Sequence, residues 1–192
     1  MSEKVLVYTA WPYANGPLHL GHIAGCYLPA DIFARFHRQK GDQVLMLSGS
    51  DQHGTPITVK AEAEGVTPMD IAQRYHEDFL KSWDKFGIGF DLFTRTTTEN
   101  HTKVVQEIFL DLLEKGFIYK NTMQSPYCGH CNKFLPDRYV EGTCPHCNSN
   151  GARGDQCDNC GKPLNPEDLV DAKCKFCGNK PEIRDTDHYF LK

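Results

Sequence analysis

The sequence predicts an α/β fold, the first half of a doubly wound parallel sheet followed by a smaller cysteine-rich domain. Three observations carry this. Over residues 1–116 short apolar runs alternate with longer segments of helical period, separated by Gly, Pro and Thr-rich punctuation. After Gly116 the composition shifts to Cys, Gly, Asn, Pro and charge, without long apolar periods. Eight of the nine cysteines fall into four Cys-x-x-Cys pairs.

At 192 residues the chain can bury one good core and a satellite domain. No apolar run is long enough to span a membrane, and Met1-Ser2-Glu3-Lys4 leads straight into a strand without a signal-peptide apolar region. The expectation is a cytoplasmic protein with no membrane partner. In that setting paired cysteines point to metal rather than disulfides.

Val5-Leu6-Val7-Tyr8 reads as the first buried strand. A loop carrying Pro12, Asn15, Gly16 and Pro17 follows, and a helix is expected from about Gly21 to Gln39, with Pro29 kinking it and Gly41 ending it. Backbone N–H groups at the start of that helix face the loop and favour phosphate there. His19 and His22, three apart, fall on one side of the first turn, where two imidazoles can donate hydrogen bonds to a triphosphate. Cys26 reads as a small buried apolar residue.

Val44 to Ser48 forms the second expected strand, and Asp51 lies just past its carboxyl end, where open α/β sheets place their ligands. A carboxylate there suits a substrate ammonium. Thr55-Pro56 and Thr67-Pro68 each read as an N-cap followed by a first helical residue. The second of these helices places Ile71, Tyr75, Phe79, Trp83 and Phe86 near one face. Phe90 to Arg95 reads as a third strand. A helix from about Glu99 to Lys115 is expected to turn Val104, Val105, Ile108, Phe109, Leu112 and Leu113 inward, and Gly116 stops it.

Phe117-Ile118-Tyr119 reads as a strand leading out of the core, and Pro181 to Leu191 as a return strand. Between them the chain cannot hold itself together by burial and needs a staple. Two tight Cys-x-x-Cys turns complete a tetrahedral four-thiolate zinc site, so eight ligands imply two sites. The short stretch between the second and third pairs favours joining them locally as an inner site of Cys144, Cys147, Cys157 and Cys160. Cys128, Cys131, Cys174 and Cys177 would then close an outer site around it. His130 and His146 are expected to be exposed rather than ligands. From Phe117 onward ten Lys plus Arg balance ten Asp plus Glu. A nucleic-acid zinc module should carry a clear basic surplus, so the metal reads as structural.

His19-Leu20-Gly21-His22, following Pro12-Tyr13-Ala14-Asn15-Gly16, resembles the HIGH signature of class I aminoacyl-tRNA synthetases, and its surroundings are similar to the methionine-specific branch of that family. Gly49-Ser50-Asp51-Gln52-His53-Gly54-Thr55-Pro56 is similar to the matching segment of the same branch, and the cysteine pattern to its two-knuckle form. The resemblance covers essentially the whole chain. It implies the first half of a Rossmann-like nucleotide-binding domain over 1–116 and an inserted zinc-knuckle domain with its return strand over 117–192.

By the same resemblance, His19 and His22 stabilise phosphate during catalysis, and Asp51 takes the ammonium of L-methionine. Ala10, Trp11 and Tyr13 line the amino-acid site, while Pro12, Asn15, Gly16 and Gly21 join the histidines in binding ATP with Mg²⁺. His53 reads equally as a substrate contact or as local structure. The implied reaction forms methionyl-adenylate and passes the methionyl group to tRNA(Met). Four features depart from the family pattern: no KMSKS-like loop, no second half of the nucleotide-binding sheet and no helical anticodon-binding domain occur, and Trp11 stands where some members have Leu. The expectation is an N-terminal part that is inactive or very weak alone, either complemented by a second, C-terminal polypeptide or a fragment of a longer reading frame. The rival reading is a non-catalytic, zinc-stapled module that binds tRNA or nucleotide.

Overall fold

The computed structural model describes residues 2–192, and the chain divides into two compact units, 1–106 and 107–192, with the boundary inside a helix. In the first unit β1 (Lys4–Tyr8), β2 (Gln43–Ser50) and β3 (Leu92–Arg95) form a parallel sheet in the order β1-β2-β3. Lys4 pairs with Gln43 and Tyr8 with Leu47, while Leu47 pairs with Leu92 and Ser50 with Arg95. The β3 strand starts later than its apolar run because the Asp91 carboxylate accepts the Met46 N–H at 2.6 Å, ahead of the ladder.

Alternation along these strands divides the sheet into two unlike faces. Val7, Met46, Ser48 and Ser50 are buried beside the helices, whereas Tyr8 is 75% exposed and Leu6, Leu45 and Leu92 are about half exposed. The buried face packs on α2 (Leu28–Gln39), α3 (Thr55–Glu64) and α4 (Pro68–Phe86) through Ala34, Ile57, Ala61, Ile71, Phe79 and Trp83. Phe86, grouped with that face by period, is exposed at the last residue of α4.

The first helix is interrupted as the proline suggests. Following α1 (Leu20–His22), Ile23–Tyr27 is a π-turn, and Pro29 sits in the first turn of α2. Pro29 has no N–H to give to the preceding turn, so the ladder slips to i→i−5 there, with Leu28 N–H on the Ile23 carbonyl. Cys26 in that turn is half-buried rather than buried. Gly54 with φ +121° is the N-cap of α3, one residue before the expected Thr55. Thr67 caps α4 as expected, in a capping box with Asp70.

The α5 helix (Glu99–Glu114) forms as predicted, but none of its residues is buried. The inward placement of its apolar stripe is therefore corrected. Helical period says which side chains share a face and not that another layer covers it. In the second unit β4 (Ile118–Cys128) and β9 (Glu182–Leu191) make a long antiparallel ribbon, with β5 (Lys133–Phe134) hairpinned on β4. Another antiparallel sheet orders β7 (Asn150–Arg153), β6 (Val140–Thr143) and β8 (Val170–Cys174). Among the described residues no helix is long and apolar enough to cross a membrane.

Candidate active site and metal centres

The carboxyl ends of β1 and β2 are joined by a short bridge that carries the candidate residues. Ala14 N–H donates to the Asp51 carbonyl at 2.8 Å, and Asp51 N–H to the Pro12 carbonyl at 2.9 Å. The loop after β1 and the loop after β2 are thus one backbone unit, with Tyr13 opposite Asp51. The Asp51 side chain is half-buried, and Oδ1 accepts a long bond from His53 N–H at 3.4 Å. His53 is exposed and its Nε2 lies 3.3 Å from the Thr96 carbonyl, so it is tied into local structure.

His19 is the N-cap of α1 in a reciprocal arrangement. His22 N–H donates to His19 Nδ1 at 3.3 Å, and His19 N–H to His22 Nδ1 at 3.2 Å. The rings stack with centroids 3.7 Å apart. A neutral ring that accepts at Nδ1 carries its proton on Nε2. Two Nε2–H donors are therefore offered from one exposed turn. Burial, followed by the neighbouring His19, lowers the pKa of His22 below the usual imidazole value. Gly21 lets the turn close, since a Cβ there would sit 3.0 Å from the His19 ring.

Trp11 is partly exposed, and its ring lies on Gly49, where a Cβ would be 2.8 Å from Trp11 Cζ3 and 2.7 Å from the Thr94 carbonyl. The His101 ring stands 6.4 Å from it. Tyr13 presses its hydroxyl against Gly54, leaving no room for a Cβ. Ala10 and Asn15 are held through their carbonyls, Ala10 by the Tyr27 hydroxyl at 2.9 Å and Asn15 by Lys60 Nζ at 3.2 Å. Pro12 is buried, and Gly16 has open space where a Cβ would stand. The structure thus gathers Ala10 to Gly16 with Asp51 at the ends of β1 and β2, and pairs His19 with His22 at the start of α1.

Sequence reasoning did not single out Tyr27, Lys60 or the buried His76, whose Nδ1 lies 2.8 Å from Ser50 Oγ. No motif marks the first two. A histidine on the apolar face of α4, four residues from Ala72, was the signal available for the third.

In the second unit the cysteines assemble into two sets, Cys128 with Cys131, Cys174 and Cys177, and Cys144 with Cys147, Cys157 and Cys160. Within each set the sulfurs all lie within 4.8 Å of one another. Close pairs include Cys128 and Cys177 at 3.4 Å, Cys131 and Cys174 at 3.8 Å, Cys144 and Cys160 at 3.9 Å, and Cys147 and Cys157 at 3.6 Å. Four sulfurs tetrahedrally placed ~2.3 Å from one ion would stand about 3.8 Å apart. Both sets fit.

Donors favour thiolate, the form that binds metal, at one cysteine of each set, whereas the Cys177 thiol pushes Cys131 up and burial pushes Cys174 up. The Cys131 N–H lowers the Cys128 thiol to about 7, and the Asn159 side-chain amide lowers that of Cys147 to about 6. Left-handed Asn132 and Asn148, with φ 52° and 57°, close the turns just after Cys131 and Cys147. His130 and His146 are exposed and belong to neither set. A further group of ligand types, Glu3, His37 and Asp42, is used internally, with Asp42 accepting from Glu3 N–H at 3.0 Å and lying 2.8 Å from His37 Nδ1.

The family described as tRNA synthetases class I (M) matches residues 5–192. A methionine–tRNA ligase of Dehalococcoides mccartyi is 65% identical over 192 residues, covering 100% of this chain and 35% of that protein. One from Thermoplasma acidophilum is 55% identical over 189 residues, covering 98% of this chain and 35% of the relative. The chain thus spans about a third of the length of these relatives. Among solved structures, Mycobacterium tuberculosis methionyl-tRNA synthetase in complex with methionyl-adenylate aligns with TM-score 0.66 at 24% identity, covering 98% of this chain and 32% of that one. An Agrobacterium radiobacter LeuRS in a ternary complex with tRNA aligns with TM-score 0.65 at 23% identity, over 99% of this chain and 20% of the other. These two likenesses show the shared fold.

Proposed function

The chain belongs to the class I tRNA synthetases (M), and from that membership we propose that it is the methionine- and ATP-binding part of a methionine–tRNA ligase. The observation that carries this is the bridge at the ends of β1 and β2, which sets a carboxylate, Asp51, beside a loop running directly into two outward Nε2–H donors. In this reading Asp51 accepts the ammonium of L-methionine, and Ala10, Trp11 and Tyr13 line the amino-acid site. Pro12, Asn15, Gly16 and Gly21 shape the loop for ATP, which arrives with Mg²⁺.

The chemistry is attack of the methionine carboxylate oxygen on the α-phosphorus of ATP, forming methionyl-adenylate and releasing pyrophosphate. A hydroxyl of the terminal ribose of tRNA(Met) then takes the methionyl group from the adenylate, releasing AMP. His19 and His22 donate hydrogen bonds from Nε2 to phosphate oxygens as charge builds on them, and the reciprocal caps pre-set those donors. Zinc fills both cysteine sets as a structural staple, fixing the β4–β5 turn to the end of β8 and the β6–β7 turn to the loop around Cys157. The setting is cytoplasmic. The half-exposed apolar face of Leu6, Leu45 and Leu92 supports a complementary C-terminal polypeptide as partner, because such a face in water costs stability.

The test is methionine-dependent ATP–pyrophosphate exchange, run on the chain alone and with a polypeptide supplying the remaining length of its relatives. Exchange that needs methionine supports the proposal. Its absence in both arms, from folded zinc-loaded protein, refutes it.

A further inference from the structure

Asp51 is the outward residue between two buried ones, and both of those are bonded to α4. Ser50, 0% exposed, shares a 2.8 Å hydrogen bond with Nδ1 of His76, itself only 7% exposed. Gln52, also buried, sends Nε2 to the Ala72 carbonyl at 3.4 Å. Its Oε1 accepts from Thr97 Oγ1 at 2.5 Å, and its N–H donates to Thr96 Oγ1 at 2.9 Å. Ala72 and His76 are four apart, so one face of α4 grips the chain on either side of Asp51.

The Ser50–His76 bond needs a reason. The imidazole is buried and stacks on Phe93 at 5.6 Å. An apolar pair of similar volume would fill the space without desolvating two polar groups, so the bond adds little net stability. What it adds is direction, because it fixes the rotation of the last β2 residue and hence where the next side chain projects. The pair is not a nucleophile and base, since neither group is open to a substrate.

We propose that His76 is a positioning residue for Asp51, acting through Ser50 to hold the carboxylate where it meets the ammonium of the amino acid. This rests on the reading of Asp51 given above. A carboxylate held in place discriminates strongly for a charged amine, and a swivelling one does so weakly.

The test measures binding of labelled L-methionine and of its desamino analogue, 4-(methylthio)butanoate, by equilibrium dialysis. The chain, together with a polypeptide supplying the remaining length of its relatives, is compared with H76F, S50A and the double variant, with circular dichroism to confirm folding. The unmodified chain is expected to prefer methionine. Each single variant should lose about tenfold of that preference, the scale of one hydrogen bond, while affinity for the analogue stays within about twofold. The double variant should lose no more than either single one, since both cut the same link. H76N, whose amide can still bond Ser50, should recover part of the preference. If folded S50A and H76F keep full preference, the inference is overturned and the Asp51 reading stands. If the unmodified chain with its complement shows no preference, the Asp51 reading falls and takes the inference with it. S50A changes no side chain of α4, so a misfolded H76F does not remove the test.

Discussion

His19 and His22 cap each other: each Nδ1 accepts the other residue's backbone N–H, at 3.3 and 3.2 Å. The two rings therefore serve structure with one nitrogen and leave the other for a ligand. Replacing His22 with Ala removes one cap acceptor and one outward donor. Stability should fall by only about 1 kcal/mol, the scale of a lost cap. Methionine-dependent exchange should fall by roughly 10²–10³, the scale of a lost transition-state donor. Thermal melts beside exchange rates check both.

Acid should weaken the first unit through its histidines. Burial lowers the pKa of both His22 and His76 below the ordinary 6.5, with His19 adding to the first shift and Arg95 to the second. A group whose pKa is lower folded than unfolded contributes stability above the unfolded value, and loses it as pH falls through the folded one. Urea midpoints followed from pH 8 to pH 5 should hold steady until about 6.5 and then decline. The decline should be shallower in H76F.

Two glycines hold the aromatic wall of the site. At Gly54 both the φ of +121° and the Tyr13 hydroxyl exclude a side chain, so G54A should destabilise by about 1–3 kcal/mol. At Gly49 the obstacles are the Trp11 ring and the Thr94 carbonyl. G49A should therefore displace Trp11, and the shift of its fluorescence is the measurement.

The metal staples make a stoichiometric claim. Purified protein should hold two zinc ions, and C157A or C128A should each hold one, measured by chelator release. Stripping zinc should abolish the ordered signals of Val140, Ala152 and Leu169 in the second unit, which lies close to both sets in sequence and has few other buried apolar residues.

Much of this was legible in the chain. The parallel strands, the Thr67 cap and the inner cysteine set follow from local pattern and spacing, whereas the outer set, Cys128 to Cys177, was legible through the family resemblance. What was not legible depends on distant partners. Asp91 shortens β3 because its carboxylate reaches Met46, and no window around Phe90 contains that fact. The exposure of α5 depends on what lies against it, which its period does not state. Lys60 and His76 gained their places through Asn15 and Ser50, 45 and 26 residues away. The Asp51 loop was readable as a motif, but its bond to the Pro12–Ala14 loop is a fact of the fold.

The most direct test of the central claim is ATP–pyrophosphate exchange by the chain with its complementary polypeptide, comparing the unmodified protein with D51N and H22A. The account expects exchange that saturates with L-methionine, a raised KM for methionine in D51N, and a collapsed rate in H22A. Equal exchange in all three, or none in the unmodified pair while folded and zinc-loaded, would contradict it.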